Sequence, residues 1–208
     1  MSSTSSNDNP KTVQAYNDHL QAYIDDQPKD PSLQLQEYIR KILQLSSKPS
    51  RILELGSGPG RDAQWIENQG FKVDCTDASK AFVDYMQNHG LRAKLLDVLR
   101  DDYPNGYDLI YASALLVHFD DAETVQILVK CHSALNDNGI LAIRTKEGNK
   151  AEWTTEKMGA PRFMRYWVKS DLENTIKQAG FRILSSYSTS GSIDYRGVPW
   201  IYVIAQKA

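Results

Sequence analysis

Apolar positions along this chain alternate between two spacings. Five-residue runs such as RILEL (51–55) and FKVDC (71–75) have the length and composition of strands. Segments between them repeat their apolar positions every three or four residues, as helices do. A strand at RILEL leads through a glycine-rich loop into a helix that ends near Gly70. FKVDC is followed by a turn, TDAS, and a helix from Lys80 to Asn88. LRAKLL and the strongly apolar YDLIYAS add a third and a fourth strand. Asp120, with Glu123 three residues on, marks a helix start. That helix is expected to face Val125, Leu128, Cys131 and Leu135 inward. NDNG turns the chain into GILAIRT, the fifth strand. Ser170 to Glu173 reads as a capping box opening a helix that Gly180 closes, and FRILSSYS and PWIYVIAQ supply two closing strands.

Ahead of this alternation lie two helical stretches. One runs from about Thr12 to Ile24 with Tyr16, Leu20 and Tyr23 on one face. The other has Asp30 as N-cap and Pro31 at its first position, and Lys48–Pro49–Ser50 ends the region. Strands alternating with helices predict an α/β fold, a Rossmann-like, doubly wound sheet with helices on both faces and an N-terminal helical extension. No helix separates the last two strands, so one of them is expected to run antiparallel. Ligands of such sheets bind at the carboxyl ends of the strands.

Composition narrows the class only a little. The 208 residues suit one domain, with 41% apolar and 24% charged residues and a net charge of −2, which gives no general attraction to nucleic acid or an anionic membrane. The longest apolar run, Leu109 to Phe119, is too short to span a bilayer. MSSTSSNDNP has no basic or apolar stretch and reads as a disordered tail over residues 1–10, ahead of a single domain over 11–208. Cys75 and Cys131 lack metal-ligand spacing, no metal is expected, and small buried thiols suit a reducing cytoplasm.

The candidate chemistry starts at ELGSGPG (54–60). Gly56, Gly58 and Gly60 form G-x-G-x-G, whereas the dinucleotide fingerprint places its third glycine where this chain has Arg61; a P-loop would need a Lys–Ser/Thr pair that is missing. Glu54 ends the first strand, Asp77 follows the second and Asp97 the third. Asp77 is placed to accept from ribose hydroxyls and Asp97 from an exocyclic amine. Together they describe a nucleoside pocket without provision for phosphate. Arg61 would meet a carboxylate or cap the helix edge. Alternatively, Asp77 simply caps the next helix and Asp97 opens a turn before Asp101–Asp102.

The runs ILELGSGPGRDA, VDCTDAS, LLDVL, YDLIYASALLVHF and LNDNGILAI occur in one order over about residues 51–145. In these the chain resembles the class I S-adenosylmethionine-dependent methyltransferases, in particular their small-molecule branch, which resembles the ubiquinone-biosynthesis (type 11) enzymes. The resemblance implies a seven-stranded sheet of order 3-2-1-4-5-7-6 with strand 7 antiparallel, and S-adenosylmethionine as cofactor with S-adenosylhomocysteine as product. It implies that the backbone from Gly56 through Ser57 to Gly60 touches the methionine portion and that Glu54 faces its ammonium. Asp77 would hold the ribose hydroxyls, with Ala78 beside the adenine. Asp97 and the Val98 amide would bond the adenine, and Ser113 and Ala114 would lie near the sulfonium. Residues 11–47 would cap the site, with Tyr16 either closing over the cofactor or packing within its helix.

Displacement at a sulfonium releases a neutral leaving group, so aligning the nucleophile and excluding water supply much of the acceleration. His118 is the best-placed general base, with a pKa expected near neutrality; the other reading is a structural histidine starting the Asp120 helix. Residues 148–169 form a connection long enough to suggest function, and carry Trp153, Phe163, Tyr166 and Trp167 with four cations from Lys157 to Lys169 and no acid between them. They are expected to form a lid, with Trp153, Arg162, Tyr166, Trp167 and His118 meeting a small-molecule substrate. A nucleic-acid groove and simple packing on the core are the other readings. A non-catalytic cofactor-binding subunit, an RNA or protein methyltransferase and a nicotinamide-dependent oxidoreductase are the competing functions. A membrane partner is not expected, and a monomer and a homodimer are both open.

Overall fold

A computed structural model describes residues 9–46, 51–189 and 197–208. Residues 1–8 of the expected tail and the Lys48–Pro49–Ser50 break lie outside the described residues. Three helices come first: α1 (Asn9–Asp18), α2 (Leu20–Asp25) and α3 (Leu33–Leu45). The alternating unit follows as β1 (Ile52–Leu55), α4 (Arg61–Asn68), β2 (Val73–Asp77), α5 (Lys80–Asn88), β3 (Ala93–Leu95), β4 (Tyr107–Ser113), α6 (Asp121–Ala134) and β5 (Leu135–Lys146). A hairpin of β6 (Ala151–Thr154) and β7 (Arg162–Arg165) precedes α7 (Lys169–Gln178), β8 (Phe181–Ser188) and β9 (Trp200–Lys207).

Seven strands form one sheet in the order β3-β2-β1-β4-β5-β9-β8, and β6 and β7 pair separately. Strands β1 to β5 are mutually parallel, while β9 lies antiparallel between β5 and β8. Counted within the sheet, this is the order 3-2-1-4-5-7-6 with the last strand reversed. Successive residues feed opposite faces. Leu53, Ile110 and Leu141 pack with Leu128 and Ile176 of α6 and α7. Ile52, Leu109 and Ile140 pack on the other face with Ile39, Ile66 and Val83 of α3, α4 and α5. Both cysteines are buried and unpaired. Among the described residues no helix is long and apolar enough to cross a membrane.

Several local expectations need correction. Asn9 and Pro10, expected in the tail, already belong to α1. The first helical stretch is interrupted at His19, whose backbone leaves the helical region and whose ring takes the Ala15 carbonyl at 3.0 Å. Helix α3 is capped by Ser32 rather than Asp30, because the Ser32 hydroxyl accepts the Leu35 N–H while Pro31 lies outside the helix. The Asp120–Glu123 capping box forms as expected. Val125, however, is 42% exposed, because Thr124, Ile127, Leu128 and Cys131 set the buried face of α6. The Ser170 box does not form. A bridge between Glu147 and Trp167 holds the preceding chain, α7 starts at Lys169, and the Glu173 carboxylate accepts from Lys169 instead.

Tyr38 ties the helical extension to the sheet. Its buried hydroxyl donates toward the carbonyls of Val203 (2.7 Å) and Ile143 (3.1 Å), on the adjacent strands β9 and β5. Tyr38→Phe should therefore cost about 0.5–1.5 kcal/mol, read as a lower urea midpoint at unchanged slope. An unchanged midpoint would mean that this bond contributes nothing.

Candidate active site

Strand β1 ends in a loop that is bonded to its neighbour strand. The Ser57 amide donates to the Thr76 carbonyl (2.8 Å), and the Ser57 hydroxyl accepts the Thr76 amide (3.2 Å). Thr76 Oγ1 in turn donates to the Glu54 carbonyl (2.8 Å), and the Gly58 amide donates to Asp77 Oδ2 (2.8 Å). Two glycines are required by their positive φ, and both also pack closely on neighbouring side chains. A Cβ on Gly56 would sit 2.7 Å from Leu115 Cδ1, and one on Gly60 would sit 2.4 Å from Leu91 Cδ1. The loop is thereby held open over the carboxyl ends of β1 and β2.

A cavity of about 470 Å³ lies above those strand ends, within the size range of small-molecule sites. Its wall includes Tyr16, Glu54, Gly56, Ser57, Gly58 and Arg61. Asp77, Ala78, Asp97 and Val98 lie along it next, with Ser113, Ala114, His118 and Arg162 beyond them. Gly60 stands just behind the wall, as the left-handed residue that starts α4. Glu54 is 3% exposed and its Oε2 has no partner among the described residues. Burial, with Asp62 nearby, holds its carboxyl well above the usual range. Asp77 is pushed up to about 6 by burial, although the Ser79 and Gly58 amides favour its charged form. Each Asp77 oxygen takes one backbone N–H, from Gly58 and Ser79, and a carboxylate oxygen has capacity for a second donor. The helix that follows is capped by Ser79, not by Asp77. Asp97 does open a turn, accepting the Leu99 and Arg100 amides at 2.9 and 3.3 Å. Arg61 is bound to Asp62 (2.8 Å) and Gln27 (3.0 Å).

The roof comes from α1 and the β6–β7 hairpin. Thr12 Oγ1 accepts the Phe163 amide (3.1 Å), and Asn17 Oδ1 accepts from Ser79 Oγ (2.8 Å) and the Ala81 amide (3.1 Å). Rings of Tyr16, Tyr23, Phe82 and His118 meet beneath it, with centroids 5.3–5.7 Å apart. The Phe163 carbonyl, 2.8 Å from His118 Nδ1, can only accept, so Nδ1 carries the proton. Nε2 therefore accepts from the Tyr16 hydroxyl (3.0 Å), which itself accepts from Arg162 Nη1 (3.1 Å).

This arrangement corrects the expectation for His118. Burial lowers its pKa to about 4, not near neutrality, and its imidazole lone pair is occupied by Tyr16. Three aromatic expectations also need correction. Trp153 meets Phe163 edge to face, with Lys11 over its ring; Tyr166 is buried and donates to Glu152 (3.0 Å); Trp167 joins the core beneath α7. None of the three lines the cavity: Trp153 is paired opposite Phe163 in the hairpin, and Tyr166 and Trp167 lie just past β7, with Trp167 held by its bridge to Glu147. Arg162 alone of that segment's proposed contacts reaches the cavity wall, beside Lys157 and Met164.

Sequence reasoning missed Tyr23, Asp62, Phe82, Arg144, Lys146 and Trp200 as wall residues. Arg144 and Lys146 had a readable signal, two cations at strand spacing at the end of the fifth strand. Asp62 had none, since its partner Tyr111 reaches it across the sheet end (2.8 Å). Among the described residues no group of His, Cys, Asp and Glu is arranged to hold a metal ion.

The model of a family described as a methyltransferase domain matches residues 30–186. Among curated proteins none matches the chain in sequence. Solved structures do match. The Burkholderia thailandensis 1,6-didemethyltoxoflavin-N1-methyltransferase, bound to 1,6-didemethyltoxoflavin and S-adenosylhomocysteine, is 18% identical with a TM-score of 0.71, over 96% of this chain and 87% of that one. The CcbJ methyltransferase of Streptomyces caelestis is 14% identical with a TM-score of 0.74, over 93% and 98%. The [4+2]-cyclase SpnF is 15% identical with a TM-score of 0.70, over 94% and 93%. At these identities the likeness is one of fold, and the fold also carries a cyclase.

His118 supplies a pH test. A histidine depressed from 6.5 to about 4 on folding stabilises the native state above pH 6.5, and that stabilisation is lost as pH falls toward 4. The stability cost of His118→Asn should thus be largest near pH 7 and shrink between pH 6.5 and 4. A cost that grows on acidification would overturn the neutral assignment. Comparing the two proteins at each pH removes the opposing contribution of Asp77.

Proposed function

The chain belongs to the methyltransferase-domain family, and from that premise we propose that it moves a methyl group from S-adenosylmethionine to a small-molecule acceptor. The single observation carrying this reading is the buried, unpartnered Oε2 of Glu54 beside a glycine loop and two further carboxylates. A buried carboxyl oxygen without a donor costs free energy, and an ammonium group at that position would offset the cost. Asp77 keeps acceptor capacity for a vicinal diol, and the backbone of Gly56 and Gly58 lets a ligand approach closely. The residues present therefore fit the cofactor. When bound, it supplies a methyl group activated on a sulfonium.

The protein's own contribution is alignment and dryness. Ser113 and Ala114 stand at the end of β4, between the acidic half of the cavity and the hairpin side. Ala114 is held at φ 57, with its amide on the Arg144 carbonyl (2.8 Å). Tyr16, Tyr23 and Phe82 cover the site with apolar ring surface. The Arg162–Tyr16–His118 chain fastens that cover, so His118 acts as a positioning residue and proton removal is left to the acceptor or solvent. A cytoplasmic setting is supported by two reduced, buried thiols.

Calorimetry with S-adenosylhomocysteine tests the reading, and no binding at millimolar ligand would sink it. Asp77→Ala should weaken binding by roughly 1–3 kcal/mol, or about 5- to 150-fold. Because Asp77 titrates near 6 and accepts hydroxyls best when ionised, affinity should be full above pH 7 and fall as pH drops through about 6. A pH-independent affinity between 5 and 8 would remove Asp77 from the site. Transfer of labelled methyl to any acceptor would separate this reading from a cyclase or a non-catalytic binding subunit.

A further inference from the structure

The cavity is divided electrostatically along the sheet. Glu54, Asp77 and Asp97 line it at the ends of β1 and β2 and just after β3. Arg144 and Lys146 line it from the end of β5, and Lys157 and Arg162 from the hairpin segment, where Asp26 also lines the cavity beside Lys157. Lys157 is matched by Asp26 at 3.7 Å, and Arg162 is engaged by Tyr16 and the Glu156 carbonyl. Arg144 differs from both. Its guanidinium lies over the Trp200 ring at 3.4 Å, with Nε on the Tyr202 hydroxyl (3.2 Å) and Nη1 on Ser113 Oγ (3.4 Å). Both of these bonds are to neutral hydroxyls, so neither brings a carboxylate to neutralise this cation. The contacts fix the plane of the fork, and a guanidinium has further N–H groups for a bidentate partner. Lys146, two residues on, places a second ammonium over the same indole (3.8 Å) and is 5% exposed. Val117, Phe119 and Met164 add apolar surface to the wall of the same cavity.

We infer that the methyl acceptor is a small organic acid, an apolar body bearing a carboxylate that pairs with Arg144. This rests on the methyltransferase reading, because it assigns the acidic half to the cofactor and the basic half to the acceptor. Arg144 touches Ser113, the residue next to the proposed transfer point, so a carboxylate on the fork holds the acceptor's nucleophile at the end of β4. A guanidinium preorganised by stacking loses little entropy on meeting an anion. The same corner rejects a neutral analogue, which would leave the guanidinium desolvated and unmatched.

The test uses the full chain saturated with S-adenosylhomocysteine, and calorimetry with hydroxybenzoate and hydroxycinnamate isomers, each beside its primary amide. At least one acid should bind about tenfold or more tightly than its amide, and added salt should weaken the acid but not the amide. Arg144→Gln should remove that preference while leaving S-adenosylhomocysteine affinity within about twofold; Arg144→Lys, which keeps the charge without the fork, should retain part of it. Amides binding as well as acids, no acid binding at all, or a preference that survives Arg144→Gln would each overturn the inference. So would a loss of S-adenosylhomocysteine affinity in Arg144→Gln without loss of acid preference, since the guanidinium would then belong to the cofactor's own carboxylate. If wild-type protein fails to bind S-adenosylhomocysteine, the methyltransferase reading falls, and the acid–amide comparison on the protein alone still judges the anion site. Should both variants fold poorly, the salt dependence of the wild-type protein alone decides, and acid binding that salt leaves unchanged would overturn the inference.

Discussion

The close seam between the loop after β1 and the end of β2 is the constraint on which the site depends. Ser57 exchanges bonds with both the amide and the carbonyl of Thr76, and Gly58 donates to Asp77. Leu115 presses against the position where Gly56 would carry a Cβ. A side chain at that glycine would be strained at φ 66 and would have to displace the Leu115 side chain next to the end of β4. One seam thus fixes the loop that carries the proposed cofactor half of the cavity.

Burial gives that geometry its chemical character. Glu54 and Asp77 are removed from water and held above their ordinary titration ranges, and His118 is held below its own. Carboxyls that are costly to keep dry become favourable partners for hydroxyl and ammonium groups. The neutral imidazole serves a different end. It accepts from Tyr16 and donates to the hairpin backbone, joining α1 to β7 across the cavity. The roof is accordingly a product of three segments far apart in sequence.

Local chemistry was legible where one segment acts alone. The Asp120–Glu123 box, the Lys80–Asn88 helix and the two-sided burial of the strands follow from spacing within a few residues. Legibility failed where a neighbouring segment intervenes. Trp167 looked like a substrate contact because it is aromatic and near cations, but the bridge to Glu147 holds it where the core takes it in. Ser170 satisfied a capping pattern that the same bridge pre-empts by starting α7 early. His118 looked like a base because free imidazole titrates near neutrality, which burial under α1 cancels.

By itself, then, the amino-acid order determined the alternation of strands and helices, the reversal among the last two strands and the acidic loops at the strand ends, while the strand order came with the family resemblance. Those depend on hydrophobic period, on glycine's access to positive φ and on chain connectivity, all of which are carried within short stretches. Only the tertiary structure decided which cations face the cavity and which proton His118 holds. Arg144 becomes an anion-binding candidate through Trp200, Tyr202 and Ser113, two of them more than fifty residues away along the chain. Electrostatic role is a property of the assembled surroundings, since desolvation and partner charge arise only once distant strands have paired.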